Sequence, residues 1–180
     1  MLRAVKIRLY PNTTQVTQIN KLLGCYRVVY NQCLARKIKS YEENKISENQ
    51  TSLGHFIHHE LLKDDNFIWL REQNTKVLKQ AVIDMLNAYN NFFEQHTGFP
   101  RFKSKKDNKQ SCRFELGAIS KKNIYTNYKL SLANIRNIKF RCSLHFFCRL
   151  HLFFQRNFGK FLMFSWFFEN KLQKNSTISD

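Results

Sequence analysis

The chain has 180 residues, with 30 Lys and Arg against 13 Asp and Glu, and so a formal net charge of +17. Five Gly, two Pro and a 43% apolar share exclude a collagen-like or linker chain and wholesale disorder, and the length allows one medium domain or two small ones. So lopsided a charge excludes a protein that meets only neutral metabolites, and a polyanion is the natural partner.

The charge is uneven along the chain. Residues 1–98 carry 13 basic and 9 acidic residues, residues 99–143 carry 12 and 2, and residues 144–180 carry 5 and 2. Phe is also abundant, and nine of the 17 lie after residue 143. The N-terminal Met-Leu-Arg-Ala-Val-Lys-Ile-Arg has charges where a signal peptide needs its apolar stretch. No run of about 18 uncharged apolar residues exists, so no membrane-spanning helix is expected. Cys25, Cys33, Cys112, Cys142 and Cys148 include no CxxC pair, which argues against a zinc ribbon. They read as reduced thiols, with Cys25 and Cys33 as small core residues on a helix.

In chain order, Leu2 to Tyr10 alternates polar Arg3, Lys6 and Arg8 with apolar Val5, Ile7 and Leu9, which predicts a half-buried strand with a basic face. Pro11-Asn12 ends it, and Thr13 or Thr14 is the expected cap of the next element. Val16, Ile19, Leu22 and Leu23, then Val28, Val29, Cys33, Leu34 and Ile38, recur at helical spacing on either side of Gly24. One long helix to about Glu43 is favoured over a helix–turn–helix pair, because a glycine costs only about 1 kcal/mol in a helix interior. After a polar loop, Thr51 or Ser52 is the expected cap of a helix to about Lys63, and Asp64-Asp65-Asn66 reads as a turn. Trp69 to Gln95 has a broad apolar stripe and predicts the strongest helix, ended by His96-Thr97-Gly98. Phe99 to Lys106 alternates aromatics with cations, and Ser111–Leu116, Ile124–Leu132 and Ile138–Arg141 read as short strands. The order predicts an α+β fold in which a helical block interrupts a β-domain.

Four blocks of residues, in order and at fitting spacing, carry a resemblance over roughly residues 1–143. They are Lys6-Ile7-Arg8-Leu9-Tyr10-Pro11-Asn12 with Gln15; Gly24-Cys25-Tyr26-Arg27-Val28-Val29-Tyr30-Asn31; Trp69-Leu70 and Leu78-Lys79-Gln80-Ala81 through Ala88-Tyr89-Asn90-Asn91-Phe92-Phe93; and Gly98-Phe99-Pro100-Arg101-Phe102-Lys103-Ser104-Lys105. The sequence resembles the OrfB/TnpB transposase-associated proteins of insertion sequences. The resemblance implies an RNA-guided DNA nuclease related to the type V CRISPR effectors. It implies a wedge-type β-barrel, here incomplete, with an inserted three-helix recognition lobe, the two together holding guide RNA and reading a motif beside the DNA target. It therefore implies DNA and guide RNA as partners and a cytoplasmic, nucleoid-associated protein of a bacterium or archaeon. The expected divisions are a first wedge strand at 1–12, a recognition lobe at 13–98 whose 13–43 block is commonly labelled helix-turn-helix, and basic wedge strands at 99–143.

In the family a RuvC-like domain with three acidic metal ligands and an inserted zinc ribbon follows. After residue 143 the acids are Glu169 and Asp180, and no Cys pairs occur. Cleavage of this type requires metal ions held by carboxylates. The expectation is a truncated chain that does not cleave DNA and holds no cofactor of its own, whereas full-length members would use divalent metal ions and a structural zinc. Residues 144–180 match nothing in the family and have neither helical nor strand periodicity. They are read as a frameshift product, poorly ordered or aggregation-prone. Shifted by one base, codons for Gln155-Arg156-Asn157-Phe158-Gly159 can spell Lys-Glu-Thr-Ser-Gly, which is text of the family's kind.

The candidate nucleic-acid contacts are of three kinds. Arg3, Lys6 and Arg8 form the outward face of the first strand, on a guide-RNA backbone or simply in solvent. Thr75, Lys76, Lys79 and Gln80 can share one helix face against the flanking-motif duplex, or form an ordinary polar face; Thr51 and Ser52 either join them or cap a helix. Arg101, Lys103, Lys105 and Lys106 form a basic surface on a nucleic-acid backbone, with Phe99 and Phe102 expected in the core. Trp69 and Tyr89 are also expected in the core. His55, His58 and His59 lack the partners of a metal site, and Asp64, Asp65, Asp84 and Glu94 lack the spacing of catalytic carboxylates, so no metal or catalytic residues are assigned. The rival readings are an inert insertion-sequence remnant, a small helix-turn-helix DNA-binding regulator, and a membrane-surface protein using the basic, Phe-rich tail.

Overall fold

The computed structural model describes residues 7–107, 109–115, 118–120, 129–141, 164–165 and 168–169. The chain is a mixed helix and sheet fold. Strand β1 (Arg8–Tyr10) leads into helix α1 (Thr13–Asn44). Helix α2 (Gln50–Phe56) continues through a widened π turn at Ile57–Leu61. A 3-10 segment (Asp65–Glu72) and helix α3 (Thr75–Gln95) follow. The later strands are β2 (Lys109–Gln110), β3 (Arg113–Phe114), β4 (Ile119–Ser120), β5 (Lys129–Leu132), β6 (Ile135–Arg141), β7 (Phe164–Ser165) and β8 (Phe168–Glu169).

Helix α1 runs unbroken through Gly24 for 32 residues. Its buried positions, Ile19, Leu22, Leu23, Tyr26, Val29, Tyr30, Cys33, Leu34 and Lys37, recur at three and four residues with no change of phase at the glycine. A helix-turn-helix would need such a change, because its second helix presents a new face. The cap is Asn12, not Thr13 or Thr14. The Asn12 side chain accepts from the Gln15 N–H at 2.8 Å, and the Asn12 N–H donates back to Gln15 Oε1 at 2.9 Å. Helix α2 repeats the device at Asn49, two residues before Thr51 and three before Ser52, the expected caps: Asn49 accepts from the Ser52 N–H at 2.8 Å, and Ser52 Oγ accepts from the Asn49 N–H at 3.0 Å.

The predicted helix from Trp69 is two elements. Gln73 is extended, and Asn74 accepts from the Lys76 N–H at 2.9 Å, restarting the chain as α3 at Thr75. Trp69 consequently lies on the 3-10 segment at 40% exposure, its indole N–H donating to the Asn66 carbonyl, and not in the core. Helix α3 packs on α1, and its Val77, Leu78, Ala81, Val82, Met85 and Tyr89 lie in the apolar core. Each of these side chains is nearly or fully buried. Removing one from contact with its neighbours costs about 2–5 kcal/mol for the larger ones.

The sheet is antiparallel and open, in the order β1-β6-β5-β4. Leu9, Leu130, Ile138 and Phe140 face the core, where they join the helices in one apolar cluster. The β5–β6 hairpin turns through Ala133, held at φ 49°, and its ends are tied to the helical block. Gln15 donates to the Arg136 carbonyl at 2.9 Å, and Asn134 donates to the Glu72 carbonyl at 3.2 Å. The expectation of a helical block inserted between first and later strands of one β-unit therefore holds in the connectivity. Of the later segments, β2 pairs with β8 and β3 with β7 in short antiparallel ladders. The rest of the tail, with the aggregation expected of it, lies outside the described residues.

Candidate nucleic-acid interface

Strand alternation fixes which side chains leave the core. In β1, Arg8 and Tyr10 point outward while Leu9 points in. Tyr10 stands opposite Lys139 of β6, and Lys139 stands opposite Lys129 of β5. Directly opposed residues of antiparallel strands share a face with Cβ atoms about 5 Å apart. Tyr10, Lys139 and Lys129 thus form a row across three strands, and Arg8 lies two residues from Tyr10 on the same face. Arg8 is itself in register with Arg141. Among the described residues no carboxylate pairs with Arg8, Lys129, Arg136 or Lys139. Like charges placed opposite one another destabilise a sheet, so this face is organised at some cost to the fold. Lys129, Arg136, Lys139 and Tyr10 were not singled out from the sequence, although the alternation of Lys129–Leu132 carries the signal. Arg3 and Lys6 lie outside the described residues.

A second basic surface is the loop after α3. Arg101, Lys105 and Lys106 are exposed as expected. The loop is fixed by its own backbone contacts: the Ser104 N–H donates to Asp107 Oδ2 at 2.9 Å, and the Lys106 N–H donates to Ser104 Oγ at 3.1 Å. It is tied to α1 by Asn31, whose amide donates to the Lys103 carbonyl at 3.0 Å and accepts from the Lys103 N–H at 2.8 Å. Arg27 of α1 donates to Gln110 Oε1 at 3.2 Å, and Gln110 donates to the Lys105 carbonyl at 2.8 Å.

Lys103 departs from the expected exposed role. Its ammonium sits 4.3 Å from the Tyr30 ring centre and 5.2 Å from that of Tyr26. Burial lowers its pKa from the ordinary lysine value, opposed by the Asp84 carboxylate. Asp84 is the hub beneath it: it accepts from the Tyr26 hydroxyl, and Arg113 Nε lies 3.2 Å from its other oxygen as an ion pair without hydrogen-bond alignment. Burial and the neighbouring Asp84 charge together raise the Tyr26 pKa far above that of a free phenol. These groups join α1, α3, β3 and the basic loop, which makes Asp84 a structural carboxylate.

The third group is divided. Thr75, Lys76 and Lys79 are exposed at the start of α3, but Gln80 is 8% exposed, turned inward beside Tyr26, whose hydroxyl approaches the Gln80 carbonyl at 3.3 Å. Residue 80 lies about 140° around the helix from residue 75, enough to carry it over the edge of the polar face. Thr51 is exposed on the first turn of α2, while Ser52 is occupied by the cap and holds the Glu48 carboxylate, lowering its pKa. Phe99 and Phe102 are exposed, against expectation, at 47% and 57%. Tyr89 is buried as expected.

His55 and His59 stack with ring centres 4.0 Å apart, and among the described residues no group of three His, Cys, Asp or Glu could hold a metal ion. No helix among them is long and apolar enough to cross a membrane.

Residues 1–45 match the family model HTH_OrfB_IS605, described as a helix-turn-helix domain. The described part of that stretch, residues 7–45, holds strand β1 and the continuous helix α1. The chain is 30% identical over 133 residues to a protein named as an RNA-guided DNA endonuclease from Streptomyces pristinaespiralis, covering 73% of this chain and 31% of that one. It is 30% identical over 108 residues to the Escherichia coli K12 protein named as RNA-guided DNA endonuclease InsQ, covering 59% and 26%. It is also 30% identical over 113 residues to virulence protein VsdF of Salmonella dublin, covering 58% of this chain and 95% of that one. The chain therefore spans about a third or less of the two endonucleases. The four sequence blocks, the family match over α1 and the similarity to these proteins agree: the chain belongs to the OrfB/TnpB family of insertion-sequence proteins.

Proposed function

We propose that residues 7–141 form the nucleic-acid-binding region of an OrfB/TnpB-type protein, gripping a guide RNA and the duplex beside a DNA target. The observation that carries this is the outer sheet face, where Arg8, Lys129 and Lys139 stand without carboxylate partners among the described residues. Their mutual repulsion is relieved by a polyanion, and each phosphate neutralised releases condensed counterions. On this reading the sheet is the wedge, the helical block 13–98 is the recognition lobe, and Arg101, Lys105 and Lys106 extend the basic surface from wedge to lobe. Thr75, Lys76 and Lys79 face the duplex, with Lys76 and Lys79 able to reach phosphates or guanine edges. Gln80 and Lys103 act from within, Lys103 by holding the basic loop on α1. The proposed region is the part that positions nucleic acid.

The test is a gel shift of the full chain with single-stranded RNA and with duplex DNA at two salt concentrations. Binding at low salt that falls steeply at high salt is expected, and absence of binding at low salt sinks the reading. A helix-turn-helix regulator would instead protect a short palindrome without RNA, and the unbroken α1 gives it no recognition helix to present.

A further inference from the structure

Helix α3 ends in an aromatic shelf that the contacts above do not use. His96 takes the left-handed conformation at φ 50°, which reverses the chain and returns Phe99 to the last turns of the helix. There Phe99 meets Tyr89 edge-on at 5.4 Å and Phe92 edge-on at 5.5 Å. Phe93 lies 5.0 Å from Phe92 and 6.5 Å from Tyr89. Tyr89 is buried and has the Lys37 ammonium 5.2 Å from its ring centre, so the base of the shelf is anchored. Its outer rings are not covered: Phe93 is 68% exposed and Phe99 is 47% exposed. Two phenyl rings thus stand at the surface, each in contact with Tyr89 and Phe92 beneath.

The charges around the shelf choose between occupants. From Tyr89 to Asp107 the acids are Glu94 and Asp107, and the Asp107 carboxylate is occupied by the Ser104 N–H. Against them stand Arg101, Lys105 and Lys106, all exposed within seven residues of Phe99. A second copy of the chain would bring a further +17 to the same place. A polyanion with planar apolar groups satisfies both features, and an unpaired nucleotide has both. Every base presents a π-face to an aromatic ring while its phosphate meets the neighbouring cations.

We infer that Phe93 and Phe99 form a stacking platform for unpaired bases of a single-stranded RNA whose backbone runs along Arg101, Lys105 and Lys106. The inference rests on the nucleic-acid reading above and adds to it a strand state and a mode of contact. RNA is the committed source because the endonuclease relatives are named as RNA-guided.

The test compares the full chain's affinity for an oligouridine of about twelve nucleotides with that for an abasic ribose-phosphate oligomer of equal length and charge, at one salt concentration. The base-bearing RNA is expected to bind at least about tenfold tighter. Phe93→Ala with Phe99→Ala should remove that advantage and leave the abasic affinity unchanged. Phe93→Tyr should retain it, and Phe93→Leu, apolar without a π-face, should not. Both rings are exposed, and a circular dichroism spectrum checks that the variants fold. Equal binding of the two oligomers by the wild type overturns the platform while leaving the phosphate-binding reading intact. Failure to bind either overturns that underlying reading instead. A base-dependent gain seen only with DNA overturns the assignment to RNA. Loss of self-association in the Ala variant with oligomer binding unchanged shows that the shelf serves a second copy, and overturns the proposal.

Discussion

Lys139→Glu separates what the sheet needs to fold from what it needs to bind. Lys139 lies between Tyr10 and Lys129 on the outer face of β6, directly opposite both, and has no acidic partner among the described residues. A like-charged pair in this position costs a few tenths of a kcal/mol, and an oppositely charged pair returns a similar amount. Replacing the ammonium by a carboxylate should therefore stabilise the sheet by about 1 kcal/mol at low salt, and by less as salt screens the pair. Binding should move the other way. One cation fewer on the phosphate backbone lowers the slope of log affinity against log salt by about 0.7 for a single strand, or about 0.9 for a duplex. The added negative charge weakens binding further, by about tenfold at low salt. Urea denaturation gives the first quantity, and fluorescence anisotropy of labelled RNA across a salt series gives the second. A variant that is less stable than the wild type, or one whose salt slope is unchanged, would show that Lys139 does not face the ligand and would refute the account of this face.

Two further outcomes follow from the interior. Asp84→Ala leaves the Tyr26 hydroxyl, Arg113 and Lys103 without their carboxylate; because Arg113 and Asp84 are partly solvated, a loss of about 2–4 kcal/mol is expected in urea denaturation, against about 1–2 kcal/mol for Tyr26→Phe. A loss below about 1 kcal/mol for Asp84→Ala would remove it as the hub. Burial raises the thiols of Cys33 and Cys112 to about 12 and that of Cys25 to about 11, from 9.0. In each case the folded state holds its proton more tightly than the unfolded one, so the contribution is complete below pH 9 and is lost as pH rises from about 9 toward those values. Lys103, whose pKa is lowered, works in the opposite sense as pH approaches 10.5. The three thiols outweigh it, so stability measured by urea titration should fall above pH 9. Cys33→Ala should flatten that fall, and a flat wild-type profile would contradict the burial of these cysteines.

Much of the fold was legible because its signals are periodic. The apolar positions of α1 keep one phase through Gly24, and a Cβ added there would meet nothing within 4 Å, so the glycine serves no packing demand and does not break the helix. The described part of the predicted Ile124–Leu132 segment is β5, and β6 begins at Ile135, three residues before the predicted Ile138. The errors came where one local contact decides. Asn12, Asn49 and Asn74 each cap a helix that the sequence assigned to a neighbouring threonine or serine or ran through without a break, because several adjacent residues have competent oxygens and only the backbone path selects one. Residue type also misled in both directions at the candidate site. Lys103 looked exposed and lies against two tyrosines; Phe99 and Phe102 looked buried and are exposed. The sequence shows that a side chain is apolar or charged, but whether a surface is available to cover it depends on elements tens of residues away. Lys129 and Lys139 were passed over for a related reason: their alternation was visible, but their meeting across two strands belongs to the register.

That register has a consequence for the timing of synthesis. Arg8 and Tyr10 are made some 130 residues before their partners Arg141 and Lys139. At typical translation rates the interval is on the order of 10 s. The helices, whose contacts are closer in sequence, can settle in that time, while the first strand waits as an unpaired edge. The outer row of cations comes into being only when β6 arrives to set it, so a nascent chain completes this face late, in one step, and after the helical block beside it has been built.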